Sequence, residues 1–374
     1  MGSLRTFTIR FFTFLNIGVG ILFLLACCNA WLHPEKWWLI AMLAFIFPIL
    51  LLLLLLLMFF WLIAAPRLAL ISLLCLIIGW KNIHAFYGFN PAPQNFSVKE
   101  TGSIRIMTWN VRSWDEFSTR RQSASGHRLP MLELVGKQKA DILCFQEFYE
   151  PADSARSNIR YIRKTLGYPF VFFSRDYHNH LNKYESGSII FSRFPMVATS
   201  QLRFGTDSIR KTGSLIYADL DINGKIVRVY TTHLQSVLFK PRDFHNVEII
   251  RNAEDSMIEA SRSIVKKLKS ALALRGHQAD TVRKELDKCP YPLVICGDFN
   301  DVPNSYVYFH IRGNLRDAFT EKCFGVGRTY IYIAPTLRID YILPSKNFTV
   351  LQTMKFAPPY SDHHAVLTDL RLQD

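Results

Sequence analysis

Charge is what the first quarter of this 374-residue chain has least of. Residues 1–90 hold one acidic side chain, Glu35, and five basic ones, Arg5, Arg10, Lys36, Arg67 and Lys81. The other 284 residues hold 39 Lys/Arg and 29 Asp/Glu, so the formal +14 divides into +4 and +10. So uneven a division excludes one uniform soluble domain, and 49% hydrophobic residues exclude a disordered chain. No zinc finger or helix-turn-helix accompanies the excess of positive charge, and no aromatic platform suited to stacking single-stranded bases is evident. There is no internal repeat. The hydrophobic segments contain no Asp or Glu of the kind that lines a transport path, which argues against a channel or transporter. The seven cysteines do not decide the redox compartment. Cys27, Cys28 and Cys75 lie in the hydrophobic segments, Cys144 and Cys296 read as buried thiols, and Cys289 and Cys323 are free to pair or not.

What the first 90 residues have instead is length without charge. Phe11–Pro34 is 24 residues, and Trp37–Pro66 is 30, with no Asp, Glu, Lys or Arg. Roughly 20 apolar residues cross a bilayer as a helix, so both qualify. Leu50–Leu57 is eight consecutive leucines, worth roughly 4 kcal/mol of insertion free energy. Trp31, Trp37, Trp38 and Trp61 stand near the ends, where aromatic belts form. A third run, Leu68–Trp80, is 13 residues and spans only if it continues to about Tyr87 with Lys81 snorkelling. Otherwise it lies at the interface. The expected anchor is therefore residues 1–90, with two to three helices at about 11–32, 37–63 and 67–87, contacting the lipid bilayer through residues 11–87. Arg5, Arg10 and Arg67 favour the cytoplasmic side. Three spans then make a multi-pass membrane protein whose large domain is extracytoplasmic (periplasmic in a Gram-negative source). Two spans would leave it inside.

Residues 91–102, with Pro91, Pro93, Ser97 and Gly102, read as a linker. From 103 to 374 short β-branched runs alternate with helical stretches, as in a mixed α/β fold. Expected strands are Ile104–Trp109, Asp141–Phe145, Gly187–Ser192, Leu215–Leu220, Lys225–Thr232, Leu293–Cys296, Ile339–Leu343 and Ala365–Leu370. Asn223-Gly224 signals a hairpin, and Arg242 to about Arg275 reads as a long amphipathic helix with Lys266, Lys267 and Lys269 on its solvent face.

Polar residues gather at the ends of these strands: Asn110, Gln146-Glu147, His233, Gly297-Asp298-Phe299-Asn300, Asp340 and Ser361-Asp362-His363. A lone Asp at a strand end is usually a turn residue. Six such clusters together supply carboxylates, amides and two imidazoles, a set suited to a hard cation and to phosphoryl chemistry. Their order, Thr108-Trp109-Asn110, Gln146-Glu147, Thr232-His233-Leu234, Gly297-Asp298-Phe299-Asn300, Arg338-Ile339-Asp340-Tyr341 and Ser361-Asp362-His363, resembles the endonuclease/exonuclease/phosphatase superfamily over about 103–374. The resemblance implies a four-layer α/β sandwich, two mixed β-sheets flanked by helices, with a site at one rim and Mg²⁺ as cofactor (Mn²⁺ a possible substitute).

It also implies roles. Glu147, Asn110 and Asp362 match metal-binding positions. Asp298 matches the carboxylate that orients the attacking water, Asn300 the amide that meets the phosphoryl oxygens, His363 the catalytic imidazole and Asp340 its carboxylate partner. An unperturbed His363, near 6.5, would exchange protons at neutral pH. Thr232-His233-Leu234 resembles the deoxyribonuclease-like branches, in which a second His protonates the leaving oxygen. Glu185 then falls where those members carry the Glu that orients it, with Tyr184 as the neighbouring alternative and a solvated strand-edge charge as the plain reading. His364 reads as structural. Arg120, Arg121, His127 and Arg128 form a polar loop that either meets an anionic substrate or is simply solvated. Arg275 and Gln278 have no assigned place. The expected activity is that of a Mg²⁺-dependent hydrolase acting on phosphoester bonds, a phosphodiesterase on nucleic acid or a phospholipid headgroup, the latter in the manner of a sphingomyelinase. A catalytically inactive binding module of the same fold is the alternative from another class.

Overall fold

The sequence-level elements take definite form in a computed structural model, which describes residues 2–90, 98–117, 127–179, 181, 183–205, 213–237, 241–252, 257–357 and 360–373. In chain order the helices are α1 (Gly2–Cys27), α2 (Trp38–Ala64), α3 (Pro66–Ile78), α4 (Trp80–Phe86), α5 (Arg128–Gln138), α6 (Asn158–Lys164), α7 (Pro241–Asn252), α8 (Met257–Asp287), α9 (Tyr306–Arg312) and α10 (Ala318–Lys322). The strands are β1 (Gly88–Phe89), β2 (Ile104–Asn110), β3 (Ile142–Pro151), β4 (Phe170–Phe173), β5 (Tyr177–Asn179), β6 (Tyr184–Ser192), β7 (Met196–Arg203), β8 (Ser214–Ile222), β9 (Lys225–His233), β10 (Leu293–Asp298), β11 (Phe324–Gly325), β12 (Asp340–Pro344), β13 (Phe348–Phe356) and β14 (Ala365–Leu372). Two units result. One holds Met1–Tyr87, Phe239–His277 and Asp301–His310; the other holds Gly88–Leu238, Gln278–Asn300 and Ile311–Asp374.

In the first unit, Thr6–Ala30 and Trp38–Ala64 are long and apolar enough to cross a membrane. Ala41, Ala44, Phe47, Leu50, Leu54, Leu57 and Trp61 are buried at helical spacing, while Leu52, Leu53, Leu56 and Phe59 stay exposed. The leucine run thus has one packed seam and one apolar outer face, as a helix in lipid would. Phe12 meets Phe60 at 4.8 Å and Phe23 meets Phe47 at 5.2 Å, which makes α1 and α2 antiparallel. The third run is not one helix over 67–87. It bends by 63° between α3 and α4. Gly79 sits at the bend because a Cβ there would lie 2.4 Å from the Phe23 ring. Buried Ser72 donates to Asn16 Oδ1 at 2.7 Å, and Asn82 donates to the Cys27 carbonyl at 3.4 Å. The bent pair therefore runs parallel to α1, from its middle to its carboxyl end. Polar contacts of this kind, each satisfied within the bundle, are what apolar surroundings require.

The second unit is built on two mixed sheets. One has the order β12-β10-β9-β8-β7; the other has β13-β14-β2-β3-β6-β4, with β5 also on β6. Alternation along each strand sends one set of side chains between the sheets and the other set outward. Ile106, Cys144 and Ile190 meet Ile216, Val229, Cys296 and Ile342 in the inter-sheet core. Met107, Trp109, Leu143 and Phe191 turn outward against Met131, Leu132 and Val135 of α5 and Ile162 of α6. On the far face of the other sheet, Tyr230 Oη donates to the carbonyl of Glu285 in α8. Helix, sheet, sheet and helix make the four layers expected. Asn223 and Gly224 form the β8–β9 hairpin with φ of 55° and 83°, the left-handed pair that a two-residue turn needs. The long helix continues beyond Arg275 to Asp287. Strands β7 and β13 carry no strong sequence signal because they are part-exposed edges with little apolar alternation. Cys289 and Cys323 are unpaired, their thiols facing the carbonyls of Tyr291 and Thr353.

One buried ion pair anchors the approach to β12. Arg338 Nη1 lies 2.7 Å from Asp317 Oδ2, both side chains 1% exposed, and its guanidinium stacks between Phe319 and Tyr341 at 4.9 and 5.0 Å. Asp317→Ala leaves a buried cation without its counter-charge, at a cost of roughly 3–5 kcal/mol. The expected result is a lowered melting temperature of the full chain in detergent; an unchanged melt would show that the pair contributes nothing.

Candidate active site

The polar strand ends meet because of strand direction. β2 and β3 are parallel, as are β9 and β10, so Asn110, His233 and Asp298 stand at carboxyl ends, and Glu147 follows the last β2–β3 pair, Asn110 with Gln146. β12 and β14 run antiparallel to their neighbours and begin at the same rim, bringing Asp340 and His363 beside them. Asp298 is in register with His233 on one side and Asp340 on the other. The local backbone is unusual here. Glu147 has φ of 50° in a register shift between Phe145 and Phe148, and Asn300 has φ of 52°. Gly297 has φ of 136°, and a Cβ on it would lie 2.1 Å from the Thr232 carbonyl, so only glycine lets β10 deliver Asp298 against β9.

Asp298 is the pivot. Its Oδ2 accepts from Asn110 Nδ2 at 3.1 Å and lies 3.6 Å from His233 Nε2 and 3.8 Å from His363 Nε2. Its Oδ1 accepts the Asn300 backbone N–H at 2.8 Å. Burial, then the nearby Asp340 carboxylate, push Asp298 up to about 6, against the pull of His363, His233 and the Asn110 bond. His363 Nδ1 stands 3.0 and 3.2 Å from the two oxygens of Asp340. Burial pulls His363 down, but Asp340 and Asp298 outweigh it and raise it to about 10. The expected ordinary imidazole is thus replaced by one held as a cation. Trp109 Nε1 donates to the His363 carbonyl, and the His363 N–H donates to Ser361 Oγ, which itself donates to the Asn110 carbonyl. Thr329 Oγ1 accepts the N–H groups of Ile339 and Asp340. Thr329 was not singled out from the sequence, since an isolated Thr outside the motifs carries no signal.

Glu147 and Asp362 supply oxygen donors beside this pivot. Glu147 Oε1 accepts from Asn110 Nδ2 at 3.2 Å, and its side chain is 40% exposed. Asp362 is raised by burial first, with Glu147 adding to it and His363 and Arg112 opposing. Arg112 Nε lies 3.7 Å from Asp362 Oδ2. Arg112 through Asp115 all have φ between 45° and 60°, a run of left-handed residues that L side chains adopt only at a cost. The Asn110 carbonyl oxygen of the side chain caps that turn by accepting the Arg112 N–H.

The expected Glu185–His233 pair does not form. Glu185 Oε2 bonds Arg175 Nε at 2.8 Å and its Oε1 faces His178 Nδ1 at 3.5 Å. The reason is facing: Glu185 alternates with Ile189 and Phe191 onto the helix-side face of β6, paired with His178 of β5 and with Glu150 of β3, away from the inter-sheet side. Tyr184 packs instead against Tyr149, Tyr177 and Phe117. Among the described residues the carboxylates paired with His233 Nε2 are Asp298 and, at 3.9 Å, Glu147, and this buried nitrogen has no hydrogen-bond partner there. We expect Glu185→Gln to leave turnover within about two-fold of wild type, since a surface ion pair is worth well under 1 kcal/mol; a steep loss in a steady-state assay would restore it to the mechanism. His364 is structural, its Nδ1 facing the Arg328 carbonyl at 3.1 Å. Arg128 bonds Asn158, and His127 bonds Asp115 and stacks on Tyr360. Arg120 and Arg121 lie outside the described residues. Arg275 pairs with Asp301 in one unit, and Gln278 accepts the Gln235 N–H in the other.

Two mixed sheets with a His–Asp pair, a buried Asp and oxygen donors at one rim define the α/β-sandwich phosphoesterase class. A family model described as the Endonuclease/Exonuclease/phosphatase family matches residues 107–363, and the chain belongs to that family. Its members hydrolyse phosphoester bonds. A second model, a domain of unknown function (DUF8431), matches residues 9–86. No curated protein matches the chain. Among solved structures it is similar to the human Nocturnin catalytic domain with bound sulfate anion, at 19% identity and a TM-score of 0.52 over 74% of this chain and 97% of that one. A protein of the same family from Beutenbergia cavernae gives 19% and 0.51 over 72% of each chain. One from Leptotrichia buccalis gives 14% and 0.50 over 71% of this chain and 99% of that one. At these identities the likeness speaks to fold alone.

Proposed function

We propose that the chain is a membrane-anchored, metal-dependent phosphodiesterase, with residues 1–90 as the anchor, 91–102 as the linker and 103–374 as the catalytic domain. The observation that carries this reading is the convergence of Asn110, Glu147, Asp298, Asp362 and the His363–Asp340 pair on one rim. The donor set fits a hard cation. Glu147 and Asp362 offer carboxylates, the ligands that Mg²⁺ and Mn²⁺ prefer, and the Asn110 side-chain oxygen, which accepts the Arg112 N–H, has one further lone pair to give. The Asp298–Asp340–His363 group, whose donor atoms lie within 4.8 Å of one another, is read differently. There the imidazole already hydrogen-bonds Asp340, so the group handles protons and charge.

Bound at Glu147 and Asp362, the ion would polarise a phosphoryl oxygen. The chain's own residues supply the rest. Asp298, ionised above about 6, orients the attacking water and takes its proton as the water oxygen bonds to phosphorus in line with the leaving group. His363, held cationic by Asp340, stabilises the negative charge that grows on the phosphoryl oxygens. Asn300 has two amide N–H groups, one spent on the Leu234 carbonyl at 3.0 Å, and the other serves the same oxygens. His233 gives a proton to the departing alkoxide as the P–O bond breaks.

A phosphodiester of nucleic acid and one of a phospholipid headgroup both meet this chemistry. The parallel course of α1 and the α3–α4 pair supports three crossings, with Arg5 and Arg10 at the cytoplasmic end, Arg67 in the first turn of α3 on the side that leads back to it, and the catalytic domain opposite. The test is hydrolysis of bis-p-nitrophenyl phosphate by the purified full chain with and without Mg²⁺, followed by duplex and single-stranded DNA, RNA, sphingomyelin, glycerophospholipids and phosphoinositides. Inertness of wild type on all of these across metals would leave an inactive binding module. Protease added from the cytoplasmic side tests the topology: digestion of the domain from that side alone would overturn it.

A further inference from the structure

Lys266, Lys267 and Lys269 read in the sequence as a solvated helix face. The structure of the first unit divides them. Lys267 pairs with Asp243 at 2.5 Å. Lys269 lies with Nζ 4.8 Å over the ring of Trp38, the first residue of α2 and so the start of an apolar span. Ile258, Arg262, Val265 and Lys269 follow one another at spacings of four, three and four, a single stripe of α8. All four are exposed, Ile258 at 64% and Val265 at 36%, with Lys266 exposed beside them. The opposite side of this part of the helix, at Ala260, Ile264 and Ala271, is buried, and Leu272, next along the stripe, is buried too and ends its exposed part. The stripe that reaches the boundary of the span therefore mixes exposed aliphatic and cationic side chains.

The same end of the span bundle carries further interfacial groups. Trp31 and Trp37 are 70% and 50% exposed, and Lys81 lies 6.0 Å from the Trp31 ring centre and 5.4 Å from that of Phe309. Tryptophan and lysine together at the end of a span mark the headgroup level of a bilayer. An amphipathic helix with Lys/Arg beside large aliphatics lies in that plane and is drawn to anionic lipid.

We propose that the Met257–Lys269 part of α8 is a second, peripheral membrane contact, lying on an anionic phospholipid surface at the Trp31–Trp38 end of the spans. Arg262, Lys266 and Lys269 meet headgroup phosphates there, and Ile258 and Val265 enter the boundary with the acyl chains. This rests on reading α1 and α2 as membrane spans. It ties part of the chain that lies far beyond the anchor in sequence to the bilayer that the anchor crosses.

The test uses the full chain in nanodiscs, one copy per disc, of phosphatidylcholine alone or with phosphatidylglycerol added, and side-chain oxidation by hydroxyl radicals read by mass spectrometry. Ile258 and Val265 should be labelled roughly five-fold less in the anionic discs, with the protection lost in an Arg262→Glu, Lys266→Glu, Lys269→Glu variant. Equal labelling in both lipids, unmoved by charge reversal, overturns the proposal. Protection that appears only with two copies per disc also overturns it, because a second chain is then the occupant. Leu52 and Leu56 of α2 serve as the internal reference. Their labelling in discs takes down the spanning reading and this proposal together, whereas protected Leu52 and Leu56 with labelled Ile258 and Val265 takes down this proposal alone.

Discussion

His363→Ala should lower kcat on bis-p-nitrophenyl phosphate roughly a thousandfold, with little change in KM. The imidazole is held 3.0 Å from Asp340 and 3.8 Å from Asp298, buried at the rim where the sheets meet. A positioned cation or acid in such a site contributes about 10²–10⁴ to rate. The substitution removes it without touching the backbone bonds to Trp109 and Ser361 that hold the segment in place. The pH profile adds a second reading. Asp298 is raised to about 6, and the proposed mechanism uses it ionised, so activity should rise through that pH. His363 is raised to about 10, and the same mechanism uses it protonated, so activity should fall near there. Asp340→Asn should draw the alkaline limb downward, because it removes the carboxylate that does most to hold the proton. The stability sign follows from the same direction. The pair's contribution is complete below the ordinary imidazole value of 6.5 and is lost as pH climbs through about 10. A His363→Ala enzyme within ten-fold of wild type would remove the imidazole from the chemistry.

Glu147→Gln should abolish metal activation. The residue is placed by a strained left-handed backbone in the β3 bulge, with a carboxylate 40% exposed and bonded only by Asn110 among the described residues. A strained, half-exposed anion beside a second carboxylate is poorly explained by stability and well explained by a cation. Several kcal/mol of charge stabilisation at phosphorus, about three powers of ten in rate, would go with that ligand. The comparison that decides is convergence. Wild type treated with a chelator and the variant in saturating Mg²⁺ should reach the same low rate, and Mn²⁺ binding followed by electron paramagnetic resonance should weaken in the variant. Unaltered Mn²⁺ binding would move the ion elsewhere on the rim.

Much of this site is legible in the sequence because its residues sit at strand ends in unbroken short motifs. Gly297-Asp298-Phe299-Asn300 shows both the carboxylate and the glycine that delivers it, and Ser361-Asp362-His363 shows the imidazole with the hydroxyl that ties it to Asn110. Glu185 shows the limit. Counting along β6 places it correctly in the chain, but alternation puts it on the face of Ile189 and Phe191, opposite His178, where it meets Arg175. Which face of a sheet reaches the site depends on what packs on each side, and a count along one strand does not show it. The His363 proton affinity was equally hidden, because it is set by two carboxylates that come from β10 and β12, distant in sequence and separately unremarkable.

The scarcity of charge in the first 90 residues, the strand-end motifs and the family they belong to follow from the sequence by itself. Composition and short-range pattern decide which segments leave water and which carry chemistry. Only the tertiary structure decided that the third apolar run bends at Gly79, that His233 stands against Asp298 and not Glu185, and that the lysines of α8 divide between Asp243, Trp38 and an exposed stripe. Each of these depends on what another part of the chain brings within a few ångströms. Close approach, register and neighbouring charge are properties of the packed molecule, and no local pattern encodes them.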